Sequence, residues 1–185
     1  ETFLSAIATA RAQVPNLKAL IVGAPVDSPA SLKYNRELQA MTQTLDLERS
    51  VVFTGFRSDV ARLMSAMDIV VLSSSTPEPF GRVVIEGMAA GKPVVATAAG
   101  GVLDIIRDGV DGRLVPIKDA AAMSEAIVEL VGNPEKARNM GQAARRRVES
   151  KFTLPRQVAA IQQVYSTLLD TPPGDRASIQ WQHVL

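Results

Sequence analysis

The segment DIVVLSSSTPEPFGRVVIEGMAAGKPVVATAAGG, residues 68–101, contains the pattern that decides the fold. It opens with an apolar run at 68–72, which is typical of a strand buried on both faces of a sheet. A loop rich in serine and proline follows, then a helical pattern over 81–90 and a second apolar run over 93–97. Because a strand, a helix and a second strand in this order form a βαβ unit, we expect the two strands to be parallel.

The same alternation extends over most of the chain. Apolar runs predict strands at 18–23, 51–54, 68–72, 93–97 and 112–116. Helical spacing and capping residues predict helices over 1–12, 32–45, 59–67, 81–90, 102–107 and 119–131, a further helix from 134 onward, and a last one over 153–169. This order predicts an α/β fold of Rossmann-like type, a doubly wound and mostly parallel sheet with helices on both faces.

The domain organisation follows from the same pattern. We expect one domain over 1–170, followed by a polar tail at 171–185 that is disordered or specific to this polypeptide. A unit of this class normally begins with a strand, whereas this sequence begins with a helix. We therefore expect a first strand upstream of that helix.

Composition and charge exclude several classes of function. There are 20 basic and 19 acidic residues, so the chain lacks the basic field of a nucleic-acid-binding protein. The dense basic run at 145–147 is interpreted as a solvated helix face. The sequence contains no cysteine and one histidine, His183, which excludes disulfides and a zinc site of the usual kind. Since no apolar run could span a bilayer and no signal peptide is recognisable, we expect a cytoplasmic protein.

The candidate site is expected where the strands end. In open α/β sheets, ligands bind outside the carboxyl ends of the strands. The loops at that edge, 23–31, 55–58, 73–82 and 98–101, are rich in glycine, serine, threonine and proline, which permit tight turns and close backbone approach. The loops at the opposite edge carry acidic residues to which the sequence assigns no task.

Two glutamates flank a helix start in the third of these loops. Glu78 falls in the loop, and Glu86 falls within the helix that follows, among apolar neighbours. Between them Gly81 opens the helix, whose free amides and dipole favour an anion such as a diphosphate. Ionised carboxylates accept hydrogen bonds, so the two glutamates are suited to hold sugar and ribose hydroxyls.

This region resembles the E-x7-E region of the family-4 retaining glycosyltransferases, which have the two-domain GT-B fold. The resemblance is carried by PEPFGRVVIEGMAAGKPVVATAAGG, by VVFTGFRSDVARLMSAMDIVVLSSS upstream and by DIIRDGVDGRLVP downstream, and it covers about 1–169. It implies one half of a GT-B fold: the C-terminal, donor-binding domain of a retaining hexosyltransferase. The N-terminal, acceptor-binding domain of such an enzyme would lie outside this chain.

The resemblance also implies roles for single residues. Glu78 would contact hydroxyls of the donor sugar and is the candidate catalytic residue, and Glu86 would bind the ribose hydroxyls. The other donor-binding candidates lie around the sugar (Phe80, Gly81), the diphosphate (Arg82, Val83), the nucleobase (Gly55, Phe56, Arg57) and the nucleotide generally (Gly23). No cofactor is expected, because the nucleotide sugar is a substrate. No metal is expected either, because the acidic residues Asp46 and Glu48 lie at the edge of the sheet opposite to the candidate site.

Two features of the family are not found in this sequence. Members usually carry an Arg and a Lys just before the helix that starts this chain, and a histidine on the partner domain, which His183 does not match. The implied consequence is that this polypeptide alone is inactive. Any peripheral contact with the inner face of the membrane would come through the other half. Asp104 stands where many members have glutamate, a minor departure.

Structural interpretations remain for several of these residues. Glu78 could be a solvated loop residue, and Glu86 could belong to a salt bridge on the helix face. Arg57 and Arg82 could be solvated surface arginines. Phe56 and Phe80 could be core anchors, and the glycines at 100–101 could serve a tight turn near the site, with or without contact to a ligand.

Other functions also remain open. A stand-alone nucleotide-binding or regulatory module is one alternative, although the expected upstream strand argues against it. An epimerase of the GT-B fold that acts on a sugar nucleotide is another. A dinucleotide-dependent oxidoreductase is disfavoured because no G-x-G-x-x-G follows a predicted strand.

Overall fold

The computed structural model describes residues 1–172, in which helices and strands alternate as predicted. Within these residues the strands are β1 (Ala19–Val22), β2 (Val51–Gly55), β3 (Val70–Leu72), β4 (Val94–Thr97) and β5 (Arg113–Val115). The helices are α1 (Thr2–Arg11), α2 (Pro29–Thr44), α3 (Val60–Ala66), α4 (Arg82–Ala89), α5 (Val102–Ile105), α6 (Ala120–Gly132), α7 (Pro134–Lys151) and α8 (Leu154–Asp170). Most of the tail predicted at 171–185 lies outside the described residues.

The strands form two parallel sheets. β1 pairs with β2, and β4 lies between β3 and β5. The Rossmann-like α/β class is confirmed, since parallel strands alternate with helices along the chain. The single sheet that we expected is divided, because β1 is hydrogen-bonded to β2 alone and β3 to β4 alone among the described strands.

One apolar core lies against both sheets. Leu4 and Ile7 of α1 are buried, and α1 packs against α6, where Met123 and Leu130 are buried as well. This core also includes side chains from both sheets: Ala19, Val51, Val95 and Val115. Burying a leucine or isoleucine side chain stabilises the fold by about 1.5–3 kcal/mol. Helix α1 therefore contributes to holding the two sheets together.

Helix α4 packs against β3 and β4. Its buried face contains Val84 and Met88, which are fully buried. A Cβ on Gly87 would lie only 3.0 Å from the Cβ of Val70, so a glycine at this position lets the helix approach the strand closely. The close packing fixes the start of α4 relative to the end of β3.

Side-chain hydrogen bonds cap the starts of α2, α6 and α7. Asp119 caps α6 through a 2.9 Å bond from the N–H of Ala122, as predicted. Helix α2 starts at Pro29, earlier than we expected, because Ser28 accepts the N–H of Ser31 and proline favours the first helical turn. Asp59 stands at the N-cap of α3 but makes no capping bond, because its carboxylate binds a neighbouring arginine instead.

The acidic residues of the loop at 108–112 have a structural role. The carboxylate of Asp111 is fully buried and accepts bonds from the main-chain N–H (2.7 Å) and the Nε (2.6 Å) of Arg107. Asp108 accepts the N–H of Leu114 at 2.9 Å. These bonds close the turn between α5 and β5, so both aspartates have a structural role at the amino edge of the second sheet.

Replacing Asp111 with alanine is expected to lower the free energy of unfolding by about 2–3 kcal/mol, because two hydrogen bonds to a charged group are lost and a main-chain N–H is left unsatisfied. Asp111→Asn should cost less, since the amide oxygen can still accept the N–H of Arg107. Urea denaturation of both variants measures the difference. Asp27→Ala, at an exposed loop position, serves as the control and should change stability by no more than about 0.5 kcal/mol. Equal stability of Asp111→Ala and Asp27→Ala would contradict the assignment.

The chain divides into two compact units, Glu1–Arg145 and a second that begins at Arg146. The second unit contains the end of α7 and all of α8, and in it the guanidinium of Arg147 lies 5.9 Å from the ring centroid of Phe152. Among residues 1–172, no helix has the length and apolar character needed to cross a bilayer.

Candidate functional site

Gly23 and Gly55 meet at the carboxyl ends of β1 and β2. The N–H of Gly23 donates to the carbonyl of Gly55 at 3.0 Å. Both glycines have positive φ angles, 136° and 67°, and no atom lies within 4 Å of a Cβ built on either one. The backbone conformation therefore requires glycine, while the space around the two residues is open to a ligand.

Phe56 and Arg57 follow directly in the loop after β2. The Phe56 side chain is 81% exposed, which excludes the role of core anchor. Arg57 forms a bidentate pair with Asp59, with Nε–Oδ1 at 2.8 Å and Nη2–Oδ2 at 2.7 Å. The hydrogen bond from Arg57 lowers the pKa of Asp59, and the same bond raises the pKa of Arg57. Arg57 is thus held in place by its neighbour, with the exposed ring of Phe56 beside it in sequence.

The loop that contains Glu78 is held by the glycine turn after β4. The N–H of Gly101 donates to the carbonyl of Glu78 at 2.9 Å, and Glu78 forms a parallel bridge with Gly100. A Cβ on Gly100 would lie 2.2 Å from the Glu78 carbonyl oxygen, and one on Gly101 would lie 2.6 Å from that of Pro79. The two backbones therefore approach more closely than any other residue type allows.

The Glu78 side chain is oriented from within its own loop. Its Oε2 accepts a bond from the hydroxyl of Ser74 at 3.3 Å. Its Cγ lies 3.7 Å from the position of a Cβ on Gly81. Glu78 thus lies directly beside the start of α4.

Gly81 is the N-cap of α4 and has a left-handed conformation, with φ at 83°. The first bond within the helix runs from the N–H of Val84 to the carbonyl of Gly81. The N–H groups of Arg82 and Val83 precede that bond, so they have no partner within the helix. Gly81 has no side chain to cap them. The start of α4 is consequently an electropositive group of free donors, suited to an anion.

Glu86 lies one turn further along α4. Its Oε1 accepts a bond from Nε of Arg82 at 2.9 Å, and the two side chains are 42% and 85% exposed. A surface ion pair of this kind contributes only about 0.3–0.5 kcal/mol. Glu86 is therefore half-exposed and paired in the absence of a ligand, which agrees with the salt-bridge interpretation but leaves the carboxylate available to a stronger partner.

The predicted site residues form two groups. Gly23, Gly55, Phe56 and Arg57 lie at the end of the first sheet, and the residues from Glu78 to Glu86 lie at the end of β3. Among residues 1–172 no hydrogen bond or ion pair joins the groups. Phe80 is 55% exposed. The site is thus an open surface at the carboxyl edge.

Ser74 and the glycines at 100–101 are not among the site residues predicted from the sequence. The sequence signal that could have included the two glycines is their consecutive position in the loop after β4, two residues beyond the end of that strand. A surface depression of about 360 Å³, lined by residues that include Val110, Asn133 and Lys136, lies away from this edge. Among the described residues, no group of three or more His, Asp or Glu side chains could hold a metal ion.

Comparison with known proteins assigns the chain to a family. A family model described as glycosyl transferases group 1 matches residues 1–147. The chain belongs to this family. The D-inositol 3-phosphate glycosyltransferase of Streptomyces coelicolor is 32% identical over 175 residues, which are 92% of this chain and 38% of that protein.

Solved structures of other proteins show the same fold. HepE of Anabaena in complex with UDP-glucose has a TM-score of 0.81 and 32% identity, over 92% of this chain and 44% of its own. The C-terminal domain of the group 1 protein LpcC from Francisella tularensis has a TM-score of 0.75 and 26% identity, over 83% of this chain and 78% of its own. The chain is a C-terminal domain of the GT-B type. It spans less than half the length of HepE and of the Streptomyces relative.

Proposed function

We propose that this domain binds the donor, a nucleoside-diphosphate sugar, for a retaining glycosyltransferase that transfers the sugar to an acceptor held by another domain. The single observation that carries the proposal is the start of α4, where free N–H groups lie between Glu78 and Glu86. Support comes from the family and from HepE, which was crystallised with UDP-glucose. Transfer by the whole protein belongs to the proposal, because this chain corresponds to less than half of its relatives.

Each group of the site has a task in this proposal. The N–H groups of Arg82 and Val83 would receive the diphosphate, whose negative charge is stabilised by the helix dipole. Glu86 would leave Arg82 and accept both ribose hydroxyls. Phe56 and Arg57 would lie beside the nucleobase, close to the open space at Gly23 and Gly55.

Glu78 would orient the donor sugar through hydrogen bonds to its hydroxyls. The hydroxyl of Ser74 donates to the carboxylate of Glu78, and the N–H of Gly101 donates to its main-chain carbonyl. These two hydrogen bonds hold Glu78 in position before the donor binds, which reduces the entropy lost on binding. We assign it an orienting role and not that of a nucleophile. In a front-face retaining reaction the departing diphosphate assists deprotonation of the acceptor, and the helix amides stabilise the charge that develops on it.

The remaining parts of the proposal concern conditions and partners. Donor binding needs no metal ion, because the charge of the diphosphate is met by helix amides. The acceptor-binding domain precedes this one in a longer polypeptide. The protein acts in the cytoplasm, and any contact with the membrane surface is made by the preceding domain.

Glu86→Gln is expected to weaken UDP binding by about 1.5–3 kcal/mol, the contribution of hydrogen bonds to a charged group. This corresponds to roughly 10- to 150-fold in Kd. 2′-Deoxy-UDP should show a similar loss on the unmutated protein and little further loss on the variant. Isothermal titration calorimetry in the presence of a chelator measures these affinities and tests the metal-independence at the same time.

Arg82→Ala is the matched control, since it also breaks the ion pair but keeps the carboxylate. It should preserve the difference between UDP and 2′-deoxy-UDP. Equal affinity of the unmutated protein for the two nucleotides would refute the role of Glu86. UDP binding that disappears when the chelator is added would refute the proposed donor site. So would an NMR titration with UDP in which the amide chemical shifts change only at the amino edge of the sheets.

A further inference from the structure

Asp59 does not perform the usual task of its position. It stands at the N-cap of α3, where an aspartate normally accepts an N–H from the first turn, yet its side chain makes no capping bond. Both of its oxygens bind Arg57 instead, at 2.8 Å and 2.7 Å. A helix start without such a bond is less stable. Because departures from local rules of this kind occur mainly at functional sites, the pair with Arg57 calls for a functional explanation.

The stability of the ion pair does not explain the departure. The side chains of Arg57 and Asp59 are 43% and 34% exposed. Exposed pairs contribute little to stability, because solvent screens the charges and two side chains must be ordered. A capping bond from the same aspartate would stabilise the fold at least as well. What the pair does achieve is to hold the guanidinium of Arg57 at two points.

The pairing leaves one edge of the Arg57 guanidinium free. A guanidinium carries five N–H donors in a fixed plane and no acceptor. Asp59 accepts bonds from Nε and from one N–H of Nη2. Among residues 1–172, the Nη1 group and the second N–H of Nη2 have no hydrogen-bond partner. Arg57 therefore presents a fixed edge that consists of donors only.

The loops after β1 and β2 offer space and apolar surface for a flat ring. Phe56, the neighbour of Arg57 in sequence, exposes most of its ring, and Val26 in the loop after β1 is also exposed. No atom lies within 4 Å of the Cβ positions of Gly23 and Gly55, at the ends of these strands. Aromatic rings stack on any nucleobase, because every base has a π-face. The ring of Phe56 therefore does not select a base, whereas an edge of donors does.

We propose that Asp59 is a positioning residue that holds Arg57 so that its free edge selects a nucleobase with a carbonyl oxygen, O4 of uracil or O6 of guanine. This inference rests on the proposed donor binding and deepens it. Cytosine and adenine carry an amino group in place of that oxygen, which would place a donor against the donors of Arg57. The donor substrate is accordingly a uridine or guanosine diphosphate sugar.

A panel of nucleotides tests the choice of base. Calorimetric titration of this chain gives the Kd values of UDP, CDP, GDP and ADP. UDP should bind roughly tenfold or more tightly than CDP, or GDP than ADP, since the amino base leaves the guanidinium edge unpaired. The pair of nucleotides with the larger ratio identifies the ring that the site accepts, pyrimidine or purine.

Asp59→Ser tests the positioning role. Serine can cap α3 but cannot hold a guanidinium at two points, so the melting temperature should stay the same or rise. The preference for the carbonyl base should fall by roughly fivefold or more, because the edge of Arg57 is no longer fixed. In an Arg57→Ala background the same substitution should cause no further loss of nucleotide binding. Glu37→Ser, which breaks the exposed ion pair with Lys33, is the matched control and should leave every Kd unchanged.

Three results would overturn the proposal while nucleotide binding itself persists. The first is a chain that binds CDP and ADP as tightly as UDP and GDP. The second is an Asp59→Ser variant with a lower melting temperature and an unchanged preference, which would assign Asp59 a structural role alone. The third is a further loss of binding from Asp59→Ser in the Arg57→Ala background, which would show that Asp59 does not act through Arg57. If none of the four nucleotides binds, the proposed donor site itself is wrong and this inference fails with it.

Discussion

Replacing Gly100 with alanine is expected to lower the free energy of unfolding by about 2–5 kcal/mol. Two costs add in this estimate. Gly100 has a φ angle of 66°, a conformation that costs a residue with a side chain about 1–3 kcal/mol. The added Cβ would also lie 2.2 Å from the carbonyl oxygen of Glu78, so the backbone of one of the two loops must move.

The same substitution is expected to weaken UDP-glucose binding by more than tenfold while the protein remains folded. Movement of the loop that contains Glu78 separates that side chain from the start of α4, and misplacement of a binding group by about 1 Å is enough to lose much of its contribution. Binding of UDP alone should change less, since Glu86 and the start of α4 remain in place. Calorimetric titration with both ligands, at a temperature where the variant is folded, separates the two effects.

Gly109→Ala is the matched control. Gly109 has a similar φ angle, 74°, but no atom lies within 4 Å of its Cβ position. It should therefore show the conformational cost without the steric cost, and no change in donor binding. If Gly100→Ala and Gly109→Ala prove equally stable and bind UDP-glucose equally well, Gly100 does not position Glu78.

The sequence predicted the elements well because their signals are local. A continuous apolar run such as residues 93–97, bounded by Gly91 and the small residues that follow, indicates its own secondary structure. Proline in the first turn and a capping aspartate mark helix starts in the same way, as at Pro134 and Asp119. These patterns depend on neighbours within a few residues, and all of the predicted strands and helices were found.

Pairing between elements could not be predicted in the same way. The division into two sheets depends on pairing between strands that are distant in the chain, which the pattern of a single strand does not determine. The task of Asp111 is likewise set by the path of the turn, which brings the carboxylate to the main chain of Arg107.

For the candidate site, the order of Glu78, Gly81 and Glu86 along one loop and helix was sufficient to place them together. Side-chain partners were not predicted, because they depend on rotamers. The bonds from Arg57 to Asp59 and from Arg82 to Glu86 join residues two and four positions apart, yet the sequence alone left both arginines open as ligand contacts or surface residues. The sequence placed the glycines at 100–101 in a tight turn near the site, but it did not predict their contact with Glu78, because that contact joins loops about 20 residues apart.

This polypeptide alone is expected to transfer sugar at less than about one-thousandth of the rate of the longer protein. The open site is one reason. Phe56 and Phe80 are 81% and 55% exposed, so water has free access to the place where the donor would lie. In the proposed reaction the acceptor is held by another domain, and positioning of the acceptor can contribute about 7–11 kcal/mol to lowering the barrier.

The charge on the leaving diphosphate is the second reason. In this chain the amides at the start of α4 would have to stabilise it alone, whereas related enzymes are expected to add an Arg and a Lys from the segment before α1. Removal of one such stabilising group typically reduces the rate by about 10²–10³. UDP binding should survive in weakened form, because Glu86 and the helix start lie within this chain.

A radiolabelled donor assay compares this polypeptide, the longer protein and the longer protein with Glu78→Ala. The expected order places the longer protein first, its Glu78→Ala variant far below it, and this polypeptide lowest, with donor hydrolysis measured separately from transfer. Calorimetry on the same samples establishes that UDP is bound, so that a lack of turnover is not a failure to fold. Transfer by this polypeptide at a rate near that of the longer protein would show that the facing domain is dispensable, and the two-domain proposal would be wrong.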